Sequence, residues 1–278
     1  MIISVASGKG GTGKTTVATN LCYSLGANVQ ILDCDVEEPN CHLFLNPEIQ
    51  ASKSFFTPVP QIDEDKCTYC KKCAEICRFK AIAVFGDTIL TFPELCHSCG
   101  GCVLICPENA VTETGRLLGV VEKGSFDNIN FVHGRLRVGE AMAPPLIKKV
   151  RSYAASDKIN IIDAPPGTSC PVIAAVKEVD FVLMVTEPTP FGLHDLKLAV
   201  EAVKLIGIPC GLVINRSDIG NDDVRQYATQ KQLPVLMEIP YDRSIAEIYS
   251  KGLLIAREIP EWKEKFNELY KKIERLVG

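Results

Sequence analysis

One eight-residue stretch near the start of the chain restricts the fold more than any other feature. Gly8-Lys9-Gly10-Gly11-Thr12-Gly13-Lys14-Thr15 satisfies the pattern G-x-x-x-x-G-K-[ST]. Such a loop works only where a strand delivers it and a helix begins behind it. Backbone N–H groups freed by the glycines then turn inward on phosphate oxygens, and the helix N-terminus adds positive potential. Both flanks are present, since the apolar run 2–6 precedes the loop and a helical stretch over 16–25 follows it. Gly8, Lys9, Gly10, Gly11, Thr12, Gly13 and Thr16 are therefore read as a cradle for nucleotide phosphates. By the motif's mechanics Lys14 reaches the β- and γ-phosphates and the Thr15 hydroxyl ligates magnesium.

Most of the remaining sequence keeps to the architecture this start implies. Apolar runs at 29–33, 159–163, 181–186, 211–215 and 235–239 alternate with amphipathic stretches. The alternation predicts an α/β fold, a mostly parallel, doubly wound sheet covered by helices on both faces. Ligands of such sheets collect beyond the C-terminal ends of the strands. Asp33, Asp35 and Asn40 follow the second run, Asp163 and Gly167 the third, and Asn215, Arg216, Pro240 and Asp242 the last two. Carboxylates accept hydrogen bonds from water and bind hard cations, which suits aspartates to magnesium-assisted chemistry on phosphates.

Between residues 60 and 113 the pattern breaks, and composition becomes informative. The chain has 13 cysteines among 278 residues. No signal-peptide pattern opens it, and no apolar run approaches the roughly 18 residues that span a bilayer. A reducing, cytoplasmic setting is expected, where clustered cysteines bind metal. Eight of them form two runs of spacing C-x2-C-x2-C-x3-C, Cys67, Cys70, Cys73, Cys77 and then Cys96, Cys99, Cys102, Cys106, offset by 29 residues. This is the bacterial ferredoxin spacing for two 4Fe-4S clusters, in which the fourth cysteine of each run reaches the other cluster. One cluster is assigned Cys67, Cys70, Cys73 and Cys106, the other Cys96, Cys99, Cys102 and Cys77. Zinc sites need neither the third cysteine nor the duplication. Arg78 stands where the first run would carry the proline found at Pro107, and His97 is expected to face solvent. The expected organisation is a nucleotide-binding domain in two parts, 1–59 and 114–278, with the inserted α+β unit 60–113 between them. With 30 Lys and Arg against 34 Asp and Glu, a net charge of −4, there is no electrostatic case for nucleic acid.

The segment K-G-G-T-G-K-T-T at 9–16 resembles the deviant Walker A motif of the MinD/ParA/nitrogenase iron protein superfamily, and the resemblance extends over the whole α/β part. It implies that Lys9 reaches across an ATP-sandwich homodimer to the partner's nucleotide. Asp33-Cys34-Asp35 running on to Asn40 is similar to switch I of that family. The similarity gives the attacking water to Asp35, support of the magnesium shell to Asp33 and a switch contact to Asn40. Asp163-Ala164-Pro165-Pro166-Gly167 resembles Walker B joined to switch II, which puts Asp163 on the magnesium shell and makes Gly167 a γ-phosphate sensor. The segments ending in Asn215-Arg216 and Pro240-Tyr241-Asp242 resemble adenine-binding segments, with Asn215 on the base edge. Together with the insert, the chain is identified as a member of the MinD-type ATPases that contain an inserted ferredoxin domain.

Five cysteines are left over. Cys22 and Cys210 read as core residues, Cys34 and Cys41 flank the first switch segment, and Cys170 follows the second. The apolar positions Trp262, Phe266, Leu269, Tyr270, Ile273 and Leu276 have helical spacing with mixed charges between them, which favours packing on the sheet over a membrane anchor. Leu117 to Val138 reads as a β-hairpin joining the insert to the main domain. The leading expectation is an ATPase whose nucleotide state gates electron transfer through two 4Fe-4S clusters to or from a partner protein. The alternatives are a Mrp-like iron-sulfur carrier, disfavoured by the lack of any cysteine after Cys210, and a MinD-like positioning ATPase.

Overall fold

The computed structural model describes all 278 residues. Its strands are β1 (Ile2–Ala6), β2 (Val29–Asp33), β3 (Glu48–Ile62), β4 (Ile82–Phe85), β5 (Thr88–Thr91), β6 (Val111–Phe126), β7 (Ile129–Leu136), β8 (Ile159–Asp163), β9 (Phe181–Thr186), β10 (Cys210–Asn215) and β11 (Val235–Ile239). Nine of them form one sheet in the order β11-β10-β9-β1-β8-β2-β7-β6-β3. The seven from β11 to β7 are mutually parallel, and β6 and β3 complete the sheet antiparallel. β1, β2, β8, β9 and β11 coincide with the apolar runs of the sequence, and β10 begins one residue earlier, at Cys210.

Neighbouring residues of each central strand feed opposite cores, because side chains alternate across a sheet. Leu32, Ile162, Val182 and Met184 join one core of 30 buried residues, under the helices Ala143–Arg151, Cys170–Val176, Pro190–Ile206 and Asp223–Gln230. Ile31, Ile161, Phe181 and Leu183 join the other, of 28 buried residues, under the helices Lys14–Leu25 and Pro260–Val277. Trp262, Phe266, Leu269 and Ile273 make up the buried face of that last helix, which lies against Lys14–Leu25. No helix is long and apolar enough to cross a membrane.

The far edge of the sheet carries the cysteine segment. β3 and β6 pair from Glu48 with Ser125 out to Ile62 with Val111, whereas β7 accompanies β6 only from Gly119 to Phe126. Beyond Gly119 the two strands continue alone as a ribbon, and Asp63 N donates to Ala110 O at 2.8 Å where the cysteine segment begins. Pro58 and Pro60 lie inside β3. They are tolerated because β3 is an edge strand, and prolines spaced by two can turn their missing N–H groups toward the open side. The expected boundaries at 59/60 and 113/114 therefore fall partway along continuous strands. The hairpin expected over 117–138 is β6 and β7, turning at Asp127 with φ 49°, and β7 itself pairs parallel with β2 inside the main sheet.

The segment itself is small: the hairpin β4–β5 and two five-residue helices, Lys72–Ile76 and Gly101–Ile105. Its own core is slight, with Cys73, Ile82, Ile89 and Val111 buried. A domain with so little apolar burial needs a further staple, either disulfide or metal.

Candidate functional site

The loop after β1 wraps the start of the helix Lys14–Leu25, and two of its glycines are there for space. A Cβ on Gly8 would lie 2.3 Å from Asp195 O in the helix Pro190–Ile206. Gly13 has φ 93°, and a Cβ on it would lie 2.3 Å from Asn215 Nδ2. That amide donates to Thr12 O at 2.9 Å, so the end of β10 braces the loop. Asn215 Oδ1 also accepts from Arg216 N at 3.0 Å.

A cavity of about 420 Å³ opens over the loop. Gly10, Gly11, Gly13, Lys14, Thr15, Thr16, Asp35, Asn40, Asn215, Arg216, Pro240 and Asp242 line it, so most of the nucleotide residues read from the sequence come together there. Tyr241, from the segment read as adenine-binding, lines it too, as do Ile245 and Tyr249, which the sequence did not single out. Gly8, Lys9, Thr12, Asp33, Asp163 and Gly167 do not face it. Gly167, whose N–H donates to Ser7 O at 2.9 Å, sits beside the loop instead. Asp242 caps the helix Arg243–Ser250 by accepting from Ser244 N at 2.7 Å.

Beneath the loop, one cation faces three carboxylates. Lys14 Nζ donates to Asp163 Oδ1 at 2.9 Å and to Asp35 Oδ2 at 3.4 Å, and Thr15 Oγ1 donates to Asp163 Oδ2 at 2.7 Å. Asp33 accepts from the backbone N–H groups of Asp35 and Cys41 at 3.1 and 3.0 Å. The Cys41 thiol donates to Asp163 Oδ2 at 3.4 Å, a contact that spacing alone did not foresee. Ligand atoms of Asp33, Cys41 and Asp163 all lie within 4.8 Å of one another. Burial by itself lowers the Lys14 pKa, but the charges of Asp163 and Asp35 outweigh it and hold the ammonium above its ordinary range. Burial, then the Asp163 charge, pushes the Asp33 carboxyl well above the usual carboxylate range, and burial pushes Asp35 up to about 6. An excess of buried acid over base is the electrostatics that a hard divalent cation relieves.

Lys9 points elsewhere. Its Nζ is 2.6 Å from Glu187 Oε1, and Arg216 reaches Oε2 of the same carboxylate at 3.1 Å. Glu187, one residue past β9, was not singled out from the sequence. The available signal was a charged residue directly after a strand apolar up to its last residue, Thr186, at the edge where the other site residues gather.

The eight insert cysteines fall into two separate cavities. Cys67, Cys70, Cys73 and Cys106 line one, and Cys77, Cys96, Cys99 and Cys102 line the other. The duplication also holds at the backbone. Tyr69, Lys71 and Lys80 have φ 51°, 65° and 56°, and their counterparts 29 residues on, Ser98, Gly100 and Asn109, have φ 55°, 70° and 51°. These left-handed residues bend each run around its cavity. Ala81 N donates to Cys77 Sγ and Ala110 N to Cys106 Sγ, both at 3.3 Å. Burial raises the Cys73 and Cys102 thiols, so a thiolate at either position needs a metal counter-charge. Four thiols to a cavity, with N–H groups aimed at sulfur, is a donor set that fits a 4Fe-4S cluster. His97 is exposed, as expected, and stacks on Phe79, with ring centroids 3.4 Å apart, at the wall of the second cavity. Of the other cysteines, Cys22, Cys34 and Cys41 are buried, Cys210 half-buried and Cys170 exposed.

A phosphate loop at the first switch from strand to helix of a parallel sheet, with acids ending β8 beside it and β2 one strand further, defines a nucleotide-binding protein of the P-loop class. The chain belongs to the CobQ/CobB/MinD/ParA nucleotide-binding family, whose model matches residues 3–255. It is 33% identical over 283 residues to the uncharacterized protein MJ0579 of Methanocaldococcus jannaschii, covering 100% of this chain and 97% of that one. It is 26% identical over 301 residues to an iron-sulfur cluster carrier protein of Aquifex aeolicus, covering 99% of this chain and 68% of the relative. Among solved structures it resembles the septum site-determining protein MinD of Pyrococcus horikoshii, complexed with Mg-ADP, with a TM-score of 0.61. That likeness covers 100% of this chain and 97% of the other at 22% identity, and it shows the fold.

Proposed function

We propose that this chain is an ATPase that carries or assembles iron-sulfur clusters. The observation that carries the reading is the division of eight cysteines into two four-thiol cavities, on a nucleotide-binding fold similar over nearly the whole of this chain to 68% and 84% of the length of two iron-sulfur cluster carrier proteins. Cys67, Cys70, Cys73 and Cys106 hold one 4Fe-4S cluster, and Cys96, Cys99, Cys102 and Cys77 hold the other. The segment 60–113 is a ferredoxin-like domain inserted in the ATPase domain 1–59 and 114–278.

In the nucleotide half, the loop N–H groups and Lys14 bind the phosphates of ATP. Thr15 ligates magnesium, with Asp33 and Asp163 on its shell. Lys14 now lies against Asp163 and Asp35, so phosphate and magnesium together replace an internal ion pair with a stronger external one. Asp35 orients the attacking water, and its raised pKa suits a group that takes up a proton near neutrality. Lys9 acts on the nucleotide of a second copy, which makes the working form an ATP-dependent homodimer. Asn40 and Gly167 report the γ-phosphate state to their segments. The segment after β2 leads through the helix Cys41–Leu45 straight into β3, so a movement there is passed to the ribbon bearing the cysteines.

The test is anaerobic purification with iron counting, followed by incubation with an apo-acceptor protein with and without ATP. ATP-dependent transfer supports carriage, and retention of all iron under every nucleotide condition sinks it. A second reading, nucleotide-gated electron transfer, is favoured by one feature. Each cavity takes its fourth cysteine from the other run, so releasing either cluster means letting go by both runs. Retained iron together with cluster potentials that differ between the ATP and ADP states would select it.

A further inference from the structure

Glu187 is buried beside the site, joined to it through the cavity-lining Arg216, and its backbone is fixed. Its carbonyl accepts from Thr189 N at 2.8 Å, and a Cβ on Gly192 would lie 2.3 Å from that oxygen. Both carboxylate oxygens are engaged, by Lys9 Nζ at 2.6 Å and by the Arg216 guanidinium at 3.1 Å. One acid therefore grips two cations that the site has other uses for: Lys9 for the phosphates of a second copy and Arg216 for the base side of the cavity. Arg216 holds a left-handed backbone, φ 51°, uncommon for a residue with a side chain and sustained only by its surroundings.

We infer that Glu187 is a positioning residue that keeps Lys9 within its own subunit until an ATP-loaded partner draws it away. This rests on the reading that Lys9 acts across a dimer. The two-cation arrangement is what makes release feasible. A buried carboxylate stripped of a single partner is strongly unfavourable, but Glu187 keeps Arg216 when Lys9 leaves. The Lys9 side chain is 29% exposed, so its ammonium is within reach of an approaching anion. The exchange is one of like for like, a carboxylate for a triphosphate, and goes forward only where the triphosphate is presented. The contact thus biases the chain toward the monomer in the absence of ATP and adds to the requirement for nucleotide.

The experiment measures the protein concentration at half-dimerisation by sedimentation velocity, in ADP and in a non-hydrolysable ATP analogue. Glu187→Gln keeps the side-chain shape and removes the charge. It is expected to lower the half-dimerisation concentration in the ATP analogue about tenfold. A role in folding alone would lower the melting temperature and leave that midpoint unmoved. A midpoint at or above the wild-type value, with Lys9→Ala still inactive in turnover, overturns the inference. Wild-type turnover by Lys9→Ala instead overturns the trans-acting role beneath it. Should Glu187→Gln fail to fold, Glu187→Asp decides. Its carboxylate is one methylene short of the Lys9 contact, a lowered midpoint supports the inference, and an unchanged one rejects it.

Discussion

The nucleotide half and the cysteine segment both gather ligands around a cavity, yet they do so on opposite scales. Around Lys14 the groups come from the ends of β1, β2, β8, β10 and β11, and one brace, Asn215 to Thr12, joins residues 203 apart in sequence. The eight thiols of the insert all lie between Cys67 and Cys106, aimed by a few left-handed backbone positions. The first site exists because a large sheet has folded and would persist without its ligand. The second has almost no apolar core, and on the proposed reading it depends on the clusters it would bind. Damage to one should therefore leave the other standing, and the sharpest experiments ask whether it does.

The largest effect should come from removing a thiol. Cys106→Ser is expected to drop the iron content from about eight to about four per chain, with ATP binding retained. Loss of ATP binding as well would break the separation of the two regions. Next, Lys9→Ala should reduce turnover about 10³-fold, on the order of 4 kcal/mol, while equilibrium dialysis still finds ATP bound and iron unchanged. Phe266→Ala, under the sheet on the side away from the insert, should cost about 3–5 kcal/mol in denaturant unfolding. It should not change the visible absorption of the clusters at temperatures where the chain remains folded.

A smaller effect separates the regions by pH. Burial raises Asp35 to about 6, so the folded chain binds more protons than the unfolded one between pH about 4 and about 6. Stability of the nucleotide-free protein then falls as pH rises across that window, and Asp35→Asn should flatten the slope in calorimetric scans. The smallest effect is in the insert. Lys71 holds φ 65° where its counterpart is Gly100, so Lys71→Gly should relieve backbone strain and stabilise the cluster-loaded protein by about 0.5–1 kcal/mol. No gain would mean that the surroundings of Lys71 compensate for its strain.

The same contrast explains what could be read without a structure. Six of the seven parallel strands were legible because each is a short, nearly unbroken apolar run, whereas β7, interrupted by His133 and Gly134, read only as half of a hairpin; the phosphate loop was legible because its spacing demands one backbone path. The grouping of the eight cysteines into two cavities was legible because the repeated spacing sets the fourth cysteine of each run beside the first three of the other. β3 was not legible, since Pro58 and Pro60 are strand breakers everywhere except on an edge, and edge status is a property of the finished sheet. Glu187 was missed because its meaning depends on Lys9 and Arg216 arriving from two other loops. The Cys41 contact with Asp163 likewise needs β2 and β8 side by side. Sequence spacing reports local geometry well, and it is silent about which distant side chains finally meet.

The ribbon of β3 and β6 has a consequence for how such a chain can be altered. Because the two strands leave the sheet and return side by side, everything beyond them is a cassette whose entry and exit points nearly coincide. Joining the chain after Thr57 to Gly115 through a two-residue turn would close an ordinary hairpin and disturb no other pairing of the sheet. The product should be a cysteine-poor nucleotide-binding protein of unchanged architecture. The reverse operation, grafting 58–114 onto the matching hairpin of a plain relative, should give that relative a place to hold iron.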